Sequence, residues 1–309
     1  MTLLFTHDNC RRHDMGAGHP EQPARIDAIL QALSGEEFQD LERREAPLAD
    51  RATIRLVHPG RYVDDLLDAV PDDGRHMLDV DTSLCPRSGE AALRAAGAVT
   101  AAVDAVLKDE DQNAFCLVRP PGHHAEPDRA MGFCLFNNVA VGAAHARAIY
   151  GVDRVAVVDF DVHHGNGSQA MFEGEADWFY ASSHQSPLYP GTGRDFETGV
   201  AGNILNVPLS PHTGSDGFRA AYQGRIFPAL KEHRPDLIFI SAGFDAHRDD
   251  PLAQLALTDD DYFWVTQELM AVADECCGGR IVSTLEGGYD LAALGRSAAA
   301  HIQALMGRE

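Results

Sequence analysis

Short apolar runs alternate with longer amphipathic stretches along this chain. The apolar runs are rich in β-branched and aromatic residues, and they predict strands over Leu3–Thr6, Phe115–Val118, Val155–Val162, Trp178–Ser183, Ile204–Leu209, Leu237–Phe244 and Arg280–Gly288. Apolar residues recur at helical spacing between them, and they predict helices over Ser88–Lys108, Phe136–Tyr150, Ser215–His233 and Thr258–Glu275. Strands that are apolar throughout and alternate with helices are typical of a parallel sheet covered on both faces, so the pattern predicts an α/β fold.

The length and composition of the chain favour one large domain. It has 309 residues, of which 45% are hydrophobic and 23% charged, enough to bury a sizeable core. No linker and no low-complexity tract divides it, so we expect a single catalytic domain over residues 1–309. The six cysteines show no Cys-x-x-Cys spacing and are typical of reduced core residues.

The charge of the chain limits its partners. There are 47 acidic and 25 basic residues, which give a formal net charge of −22. Such a surface repels nucleic acid phosphates, and its simplest role is solubility. The first residues, MTLLFTHDN, have too short an apolar run and no basic flank for a signal peptide, and no apolar run is long enough to cross a bilayer. We therefore expect a cytoplasmic protein with no nucleic acid partner and no membrane contact.

Four of the predicted strands end in glycine together with ionisable or phenolic side chains. Their ends read RPPGHHAE, DFDVHHGNG, SAGFDAH and LEGGYD in chain order. In open parallel sheets the ligand crevice lies beyond the carboxyl ends of the strands. Four unusual endings at one edge of one sheet predict a reactive site there.

The second of these endings has the donor atoms of a metal site. If the strand runs on through this segment, Asp161 and His163 share one face, and Asp159 lies deeper on the same face. Asp245 would bring a second carboxylate from another strand. Two oxygens and one nitrogen leave open positions for water and substrate, which is typical of catalytic zinc, and ferrous iron would also fit. In isolation, an Asp-x-His pair is more often a capping aspartate and a hydrogen-bonded histidine.

Two further endings carry candidate acid–base and hydrogen-bonding groups. His123 and His124 follow a Pro-Pro-Gly turn, and a positioned histidine can take a proton from water and return it to a leaving amine. Tyr289 follows two glycines, where its phenol could donate to a developing oxyanion. Histidines bonded to the main chain and a tyrosine buried at the sheet edge would give the same sequence pattern.

The motifs together resemble a known family. RPPGHHAEPDRAMGFCLFNNVAVGA, VVDFDVHHGNGSQAMF, YPGTG, FISAGFDAHRDDPLAQLALT and LEGGYD are similar to the histone deacetylase family, which includes bacterial histone deacetylase-like amidohydrolases and acetylpolyamine amidohydrolases. The resemblance covers nearly the whole chain and is strongest to the class II branch. It implies an arginase/deacetylase fold with a central eight-stranded parallel sheet, and zinc-dependent hydrolysis of N-acyl amides.

The resemblance also implies a role for each site residue. The zinc ligands would be Asp161, His163 and Asp245. The histidine pair would be His123 and His124, with Asp159 as the partner of the first and Asn166 as the partner of the second. Tyr289 would be the phenol that polarises the carbonyl. An amide stabilises an imidazolium less well than a carboxylate does. The histidine that is paired with asparagine, His124, is therefore expected to stay neutral and to serve first as general base and then as general acid.

Further positions correspond to additional sites of the family. A structural potassium ion would be held by Asp159, Asp161 and His163, mainly through main-chain carbonyls, together with Ser182 and Ser183. The acyl-lysine channel would be lined by Gly132, Phe133, Tyr189 and Leu252. Arg25 matches an arginine near the inner cavity from which the acid product leaves.

The substrate depends on the channel mouth. Leu252 stands where the polyamine-preferring relative has a glutamate, and leucine cannot pair with a second ammonium. This favours acyl-lysine in a peptide or protein over an acetylated polyamine. Two competing functions are a catalytically silent acyl-lysine binder, which the presence of Tyr289 disfavours, and a two-manganese ureohydrolase, which would need an acid where Asn166 stands.

Overall fold

A parallel sheet lies at the centre of the protein. A computed structural model of the chain describes residues 2–308. The strands in this range are β1 (Thr2–Thr6), β2 (Glu42–Glu45), β3 (His76–Met77), β4 (Ser83–Leu84), β5 (Asn113–Cys116), β6 (Val155–Asp159), β7 (Trp178–Gln185), β8 (Ile204–Leu209), β9 (Leu237–Ala242) and β10 (Ile281–Leu285). Eight of them form one parallel sheet in the order β2-β1-β5-β10-β9-β6-β7-β8, and β3 pairs antiparallel with β4 in a separate hairpin. The predicted α/β fold with an eight-stranded parallel sheet is confirmed.

Helices flank this sheet. Within residues 2–308 they are α1 (Ala24–Ala32), α2 (Arg51–Ile54), α3 (Gly60–Asp68), α4 (Ser88–Leu107), α5 (Asn138–Tyr150), α6 (Asn166–Phe172), α7 (Ser215–Ala221), α8 (Phe227–His233), α9 (Asp259–Cys277) and α10 (Leu291–Leu305). Helix α4 packs on α5, and α10 packs on both α9 and α1. None of the helices in the described range is both long and apolar enough to cross a membrane.

The central strands are buried along their whole length. Every residue of β6, β9 and β10 is buried, so these strands have no solvent-facing side. Their apolar side chains join those of the flanking helices in one large hydrophobic cluster. Burial on both faces explains why these strands read as continuous apolar runs rather than as alternating patterns.

Strand β2 was not among the strands that the apolar pattern predicted. Its sequence is Glu-Arg-Arg-Glu, and three of its four residues are exposed. It lies at the edge of the sheet and pairs only with β1. A charged edge strand discourages pairing with other chains, and its exposed side chains leave no hydrophobic signal.

Some predicted elements are shorter in the structure than the sequence pattern indicated, or are interrupted. Strand β6 ends at Asp159, so the expectation that Asp161 and His163 extend from one face of a strand was wrong. Turn hydrogen bonds replace the ladder there, because Asp159 Oδ1 accepts from the main-chain N–H of Asp161 and Asp161 Oδ1 accepts from that of His163. In the same way, the predicted helix Ser215–His233 contains a π-helical segment, Tyr222–Ile226, between α7 and α8.

The sheet order brings the four unusual strand ends together. Strands β5, β10, β9 and β6 are consecutive neighbours at the centre of the sheet, and all run in the same direction. Their carboxyl ends therefore open onto one edge, where parallel α/β sheets place their ligand crevices.

Candidate active site

An Asp-His-Asp cluster is buried beyond β6 and β9. One potential ligand atom from each of Asp161, His163 and Asp245 lies within 4.8 Å of the others, the only such group of three acidic, histidine or cysteine side chains in the described part of the chain. The Nδ1 atom of His163 lies 3.1 Å from Asp161 Oδ1 and 3.1 Å from Asp245 Oδ2. The loop conformation thus brings together the three side chains predicted to converge, although the strand itself ends earlier.

The chemistry of this cluster fits a divalent cation. Both carboxylates are fully buried, and burial together with the charge of Asp161 raises the pKa of Asp245 to about 7. Two carboxylates crowded in this way need positive charge between them. The backbone leaves room for it, because a Cβ atom at Gly287 would lie 2.1 Å from Asp245 Oδ2 and 2.6 Å from Asp161 Oδ2. Two oxygens and one nitrogen are donors that zinc accepts.

The two histidines that follow β5 have different partners. His123 Nδ1 lies 3.0 Å from Asp159 Oδ2, which also accepts a hydrogen bond from Tyr180 Oη at 3.0 Å. His124 Nδ1 lies 2.8 Å from Asn166 Oδ1. One ring is therefore bonded to a carboxylate and the other to a neutral amide, and these are the two partners that the family resemblance implied.

These partners move the two histidine pKa values in opposite directions. Burial alone would lower the pKa of His123, but the carboxylates of Asp161 and Asp159 outweigh it and raise this pKa well above its usual value. Burial and the charge of His123 lower the pKa of His124 well below its usual value. Divergent pKa values in adjacent groups are typical of acid–base sites, and the neutral ring is the one that can accept a proton.

A narrow cavity of about 220 Å³ leads to these groups. Its lining residues are Asp81, His124, Gly132, Phe133, His163, Leu188, Tyr189, Leu252 and Tyr289. All four predicted channel residues are among them. Gly132 has a φ of +56°, and a Cβ atom there would lie 2.4 Å from Cδ2 of the His124 ring, so the wall beside the histidine requires glycine. A larger cavity of about 540 Å³, beside Arg61 and Tyr62, shares none of these residues.

Two acidic residues that sequence reasoning did not assign hold the site in place. Glu286 Oε2 accepts hydrogen bonds from the main-chain N–H groups of Gly122 and His123, at 2.7 and 3.1 Å. Asp250 Oδ2 accepts one from the main-chain N–H of Tyr289 at 2.7 Å. Both lie inside the motifs already quoted, and a carboxylate without a predicted role in a buried motif was the signal that could have identified them.

Arg25 lies directly behind the tyrosine. Its side chain is fully buried, and its guanidinium group donates to the main-chain oxygens of Gly288 and Glu286, at 2.7 and 2.5 Å. It also lies 5.1 Å from the centre of the Tyr289 ring and pairs with Glu21 at 3.0 Å. Arg25 thus fixes the segment that carries Tyr289, and its role in product release stays a prediction.

The predicted potassium residues lie at the end of β6, in the loop that follows it and in the adjacent strand β7. Ser182 in β7 stands opposite Asp159 in β6. Its hydroxyl is 2.9 Å from His184 Nδ1, while the hydroxyl of Ser183 is 3.1 Å from Tyr222 Oη. His164, the second histidine of His-His-Gly-Asn-Gly, is bonded to Thr192 and Gln169 and does not line the cavity.

A buried Asp-His-Asp cluster beside a histidine pair, at the carboxyl edge of an eight-stranded parallel sheet, defines a hydrolase of the arginase/deacetylase fold. The sequence model of the histone deacetylase domain matches residues 19–305, so the chain belongs to the histone deacetylase family, whose enzymes hydrolyse amide bonds.

Named relatives agree with this assignment. The chain is 43% identical to the histone deacetylase-like amidohydrolase of Pseudomonas aeruginosa, with 88% of this chain and 73% of that protein aligned. It is 42% identical to a probable deacetylase of Methanothermobacter thermautotrophicus, over 94% of this chain and 87% of the relative. The type-2 histone deacetylase 2 of Dictyostelium discoideum is 37% identical over 99% of this chain, which spans only 21% of that protein.

A solved structure is similar over the whole fold. The crystal structure of the HDA15 HD domain superimposes with a TM-score of 0.94 at 35% sequence identity, covering 99% of this chain and 88% of the other.

Proposed function

We propose that this protein is a zinc-dependent deacylase that removes acetyl or other acyl groups from lysine side chains, releasing a carboxylate and a free amine. The observation that carries the proposal is the meeting of three groups on one narrow cavity: the cluster of Asp161, His163 and Asp245, the neutral base His124, and Tyr289. A cavity of about 220 Å³ suits an extended side chain better than a bulky ligand.

Asp161, His163 and Asp245 would hold the metal. When bound, a zinc ion supplies a Lewis acid that polarises the acyl carbonyl and makes water more acidic. Gly287 leaves the space beside the carboxylates clear and donates its main-chain N–H to Asp161 Oδ2 at 2.8 Å. The residues of the chain thus determine where the carbonyl and the attacking water meet.

His124 performs the proton transfers in this mechanism. Its Nδ1–H is donated to Asn166 Oδ1, so Nε2 carries the lone pair. Nε2 takes a proton from the attacking water and later returns it to the departing lysine amine. His123, held by Asp159, stays positively charged beside it and stabilises the negative charge that develops in the cavity.

Tyr289 acts on the carbonyl oxygen. Its ring lines the cavity and packs edge-on against Phe133, with 5.9 Å between the ring centres. Burial raises the pKa of the phenol well above its usual value, so the hydroxyl keeps its proton and donates a hydrogen bond to the oxyanion.

The channel mouth supports acyl-lysine as the substrate class. Leu252 is 37% exposed and lines the mouth, so it offers an apolar surface where a polyamine would present a second ammonium. Tyr189 forms another wall, with its ring centre 5.2 Å from that of His124. We further propose that Arg25 borders the exit of the acid product, and that a structural potassium ion is bound near Asp159, Asp161, His163, Ser182 and Ser183.

A rate comparison on the purified, zinc-loaded protein tests the proposal. Acetyl-lysine peptides, longer acyl-lysine peptides, acetylputrescine and acetylspermidine are supplied side by side, and kcat/KM is measured for each. We expect the acyl-lysine peptides to be hydrolysed fastest. A tenfold preference for acetylpolyamines would overturn the substrate assignment, and two manganese ions per chain would overturn the single-zinc site.

A further inference from the structure

Three side chains form a hydrogen-bonded chain from the outer rim of the site to the proposed base. Asn166 Oδ1 lies 2.8 Å from His124 Nδ1, and Asn166 Nδ2 lies 2.8 Å from Glu126 Oε1. We propose that Glu126 is a positioning residue that holds the amide of Asn166 in the orientation needed to fix the tautomer of His124. The inference rests on the proposed function, in which His124 is the base.

Glu126 decides which way the amide points. The oxygen and nitrogen of an asparagine amide are nearly equal in size, so shape alone does not distinguish its two orientations. A carboxylate can only accept, and therefore the atom that faces Glu126 must be the nitrogen. The remaining neighbours of Asn166 Nδ2 are the main-chain oxygen of His124 at 3.5 Å and Met131 Sδ at 3.4 Å, both longer contacts.

The orientation of the amide sets the position of the proton on His124. With the amide oxygen facing Nδ1, the neutral ring carries its hydrogen there and keeps a lone pair at Nε2. A reversed amide would donate to Nδ1, and the hydrogen would move to Nε2. The ring could then no longer accept a proton from water.

This role exists because residue 166 is an asparagine. A carboxylate there would accept from His124 in either orientation and would need no guide. The backbone of Glu126 is itself held in place. The main-chain N–H of Glu126 donates to the carbonyl oxygen of Arg129 at 3.0 Å, which fixes the position of the Glu126 Cα atom. The residue is half-buried, so its carboxylate keeps part of its hydration.

Steady-state kinetics on the zinc-loaded full chain, with an acetyl-lysine peptide as substrate, test whether Glu126 contributes to catalysis. We expect Glu126→Ala to lower kcat about tenfold with little change in KM, the size of effect that follows from losing a hydrogen bond to a charged group. Glu126→Gln can present either an acceptor oxygen or a donor nitrogen to Asn166, so it guides the amide less strictly, and its kcat should lie between those of Glu126→Ala and the wild type. The control is Asp128→Ala, which removes an exposed acid from the same loop and should leave kcat unchanged. A wild-type kcat in Glu126→Ala would overturn the proposal.

A double variant distinguishes a positioning role of Glu126 from a general disturbance of the fold around the site. In Asn166→Asp, two carboxylates face each other across the 2.8 Å contact, so Glu126 repels the group it formerly guided. Adding Glu126→Ala to this variant should therefore leave kcat unchanged or raise it. An equal loss in both backgrounds would overturn the proposal.

Nitrogen NMR of the histidine rings gives a readout that does not depend on activity. We expect His124 in the wild-type protein to be protonated at Nδ1 alone and in Glu126→Ala to show a mixture of tautomers, at unchanged Tm. An unaltered tautomer would overturn the inference even if the protein hydrolyses no acyl-lysine. An active wild type with an unaltered tautomer would leave the proposed function standing and remove only the role of Glu126.

Discussion

His123 and His124 are consecutive in the chain and their ring centres lie 4.0 Å apart, yet one is held charged and the other neutral. The carboxylates of Asp161 and Asp159 raise the pKa of His123, whereas burial and the charge of His123 lower the pKa of His124. Two protonated rings at this distance would repel each other, so the charge of one keeps the other available as a base.

Removal of the Tyr289 hydroxyl should slow the reaction with little effect on substrate binding. We expect Tyr289→Phe to lower kcat about a hundredfold or more, the usual cost of one oxyanion donor, with a small change in KM. Steady-state kinetics on an acetyl-lysine peptide provide the measurement. Tyr189→Phe is the matched control, because it removes the same atom from another wall of the cavity and should retain most of the activity.

Loss of one carboxylate from the cluster should release the metal. We expect Asp245→Asn to bind zinc at least about tenfold more weakly and to lose deacylase activity, because an amide oxygen is a poorer ligand than a carboxylate. Metal content after dialysis against a chelator gives the measurement. Asp249→Asn, a nearby acid whose side chain is 51% exposed, should retain wild-type zinc content. Equal zinc content in both variants would show that the metal lies elsewhere.

The sequence predicted the buried parts of this fold better than the exposed parts. Strands such as β6 and β9 were predicted because burial on both faces requires apolar residues throughout. Strand β2 carries only charged side chains, and its place in the sheet depends on pairing with β1, which no local pattern encodes.

The candidate site shows the same division. The strand-end motifs predicted its principal groups, because glycine beside acids and histidines at the end of a core strand is unusual. The local geometry was not predictable in this way, since the turns at Asp161 and His163 depend on hydrogen bonds from side chain to main chain. Glu286 and Asp250 act on main-chain N–H groups that are distant in sequence, so only the folded chain identifies their partners.

A charge at the channel mouth should redirect the substrate preference. We expect Leu252→Glu to raise kcat/KM for acetylspermidine relative to an acetyl-lysine peptide about tenfold, because a carboxylate there can form a charge-assisted hydrogen bond with a second ammonium. Leu252→Gln is the neutral control and should shift the ratio much less. An unchanged ratio in Leu252→Glu would mean that residue 252 does not contact the distal part of the substrate.

Acid should destabilise the protein partly through His58. Its Nδ1–H is donated to the main-chain oxygen of Pro127 at 2.8 Å, and its Nε2 accepts from the main-chain N–H of Asn137 at 3.0 Å. Burial lowers its pKa from 6.5 to about 4. The unfolded chain therefore binds a proton that the folded protein rejects, and stability falls as the pH drops from 6.5 towards 4.

The size of this effect can be measured by substitution. From pH 7 to pH 5, His58 should account for about 2 kcal/mol of lost unfolding free energy. His58→Gln does not titrate, so its unfolding free energy should decline less steeply over this range, although it starts from a lower value. His76→Gln, at an exposed position, should keep the wild-type slope in denaturant titrations at each pH. Parallel slopes for His58→Gln and wild type would exclude this role.

The second glycine of His-His-Gly-Asn-Gly should be needed for the position of the histidine loop. Gly167 lies in α6, and a Cβ atom there would be 2.1 Å from the main-chain oxygen of Ala125 and 2.8 Å from the carbonyl carbon of His124. Because these are main-chain atoms of a buried segment, they cannot move aside cheaply, and Gly167→Ala must displace the loop that carries His124. We expect a loss of about 1–3 kcal/mol in unfolding free energy, the usual range for overpacking.

The displaced loop should also cost activity beyond the loss of stability. Gly174→Ala is the matched control, since nothing lies within 4 Å of a Cβ atom at that glycine, two residues after α6 ends. Measured at a temperature where both variants are fully folded, Gly167→Ala should have a lower kcat than Gly174→Ala, because a base displaced by a fraction of an ångström no longer lies within hydrogen-bond reach of water. Equal kcat values would show that the loop adapts around the extra methyl group and that His124 tolerates displacement.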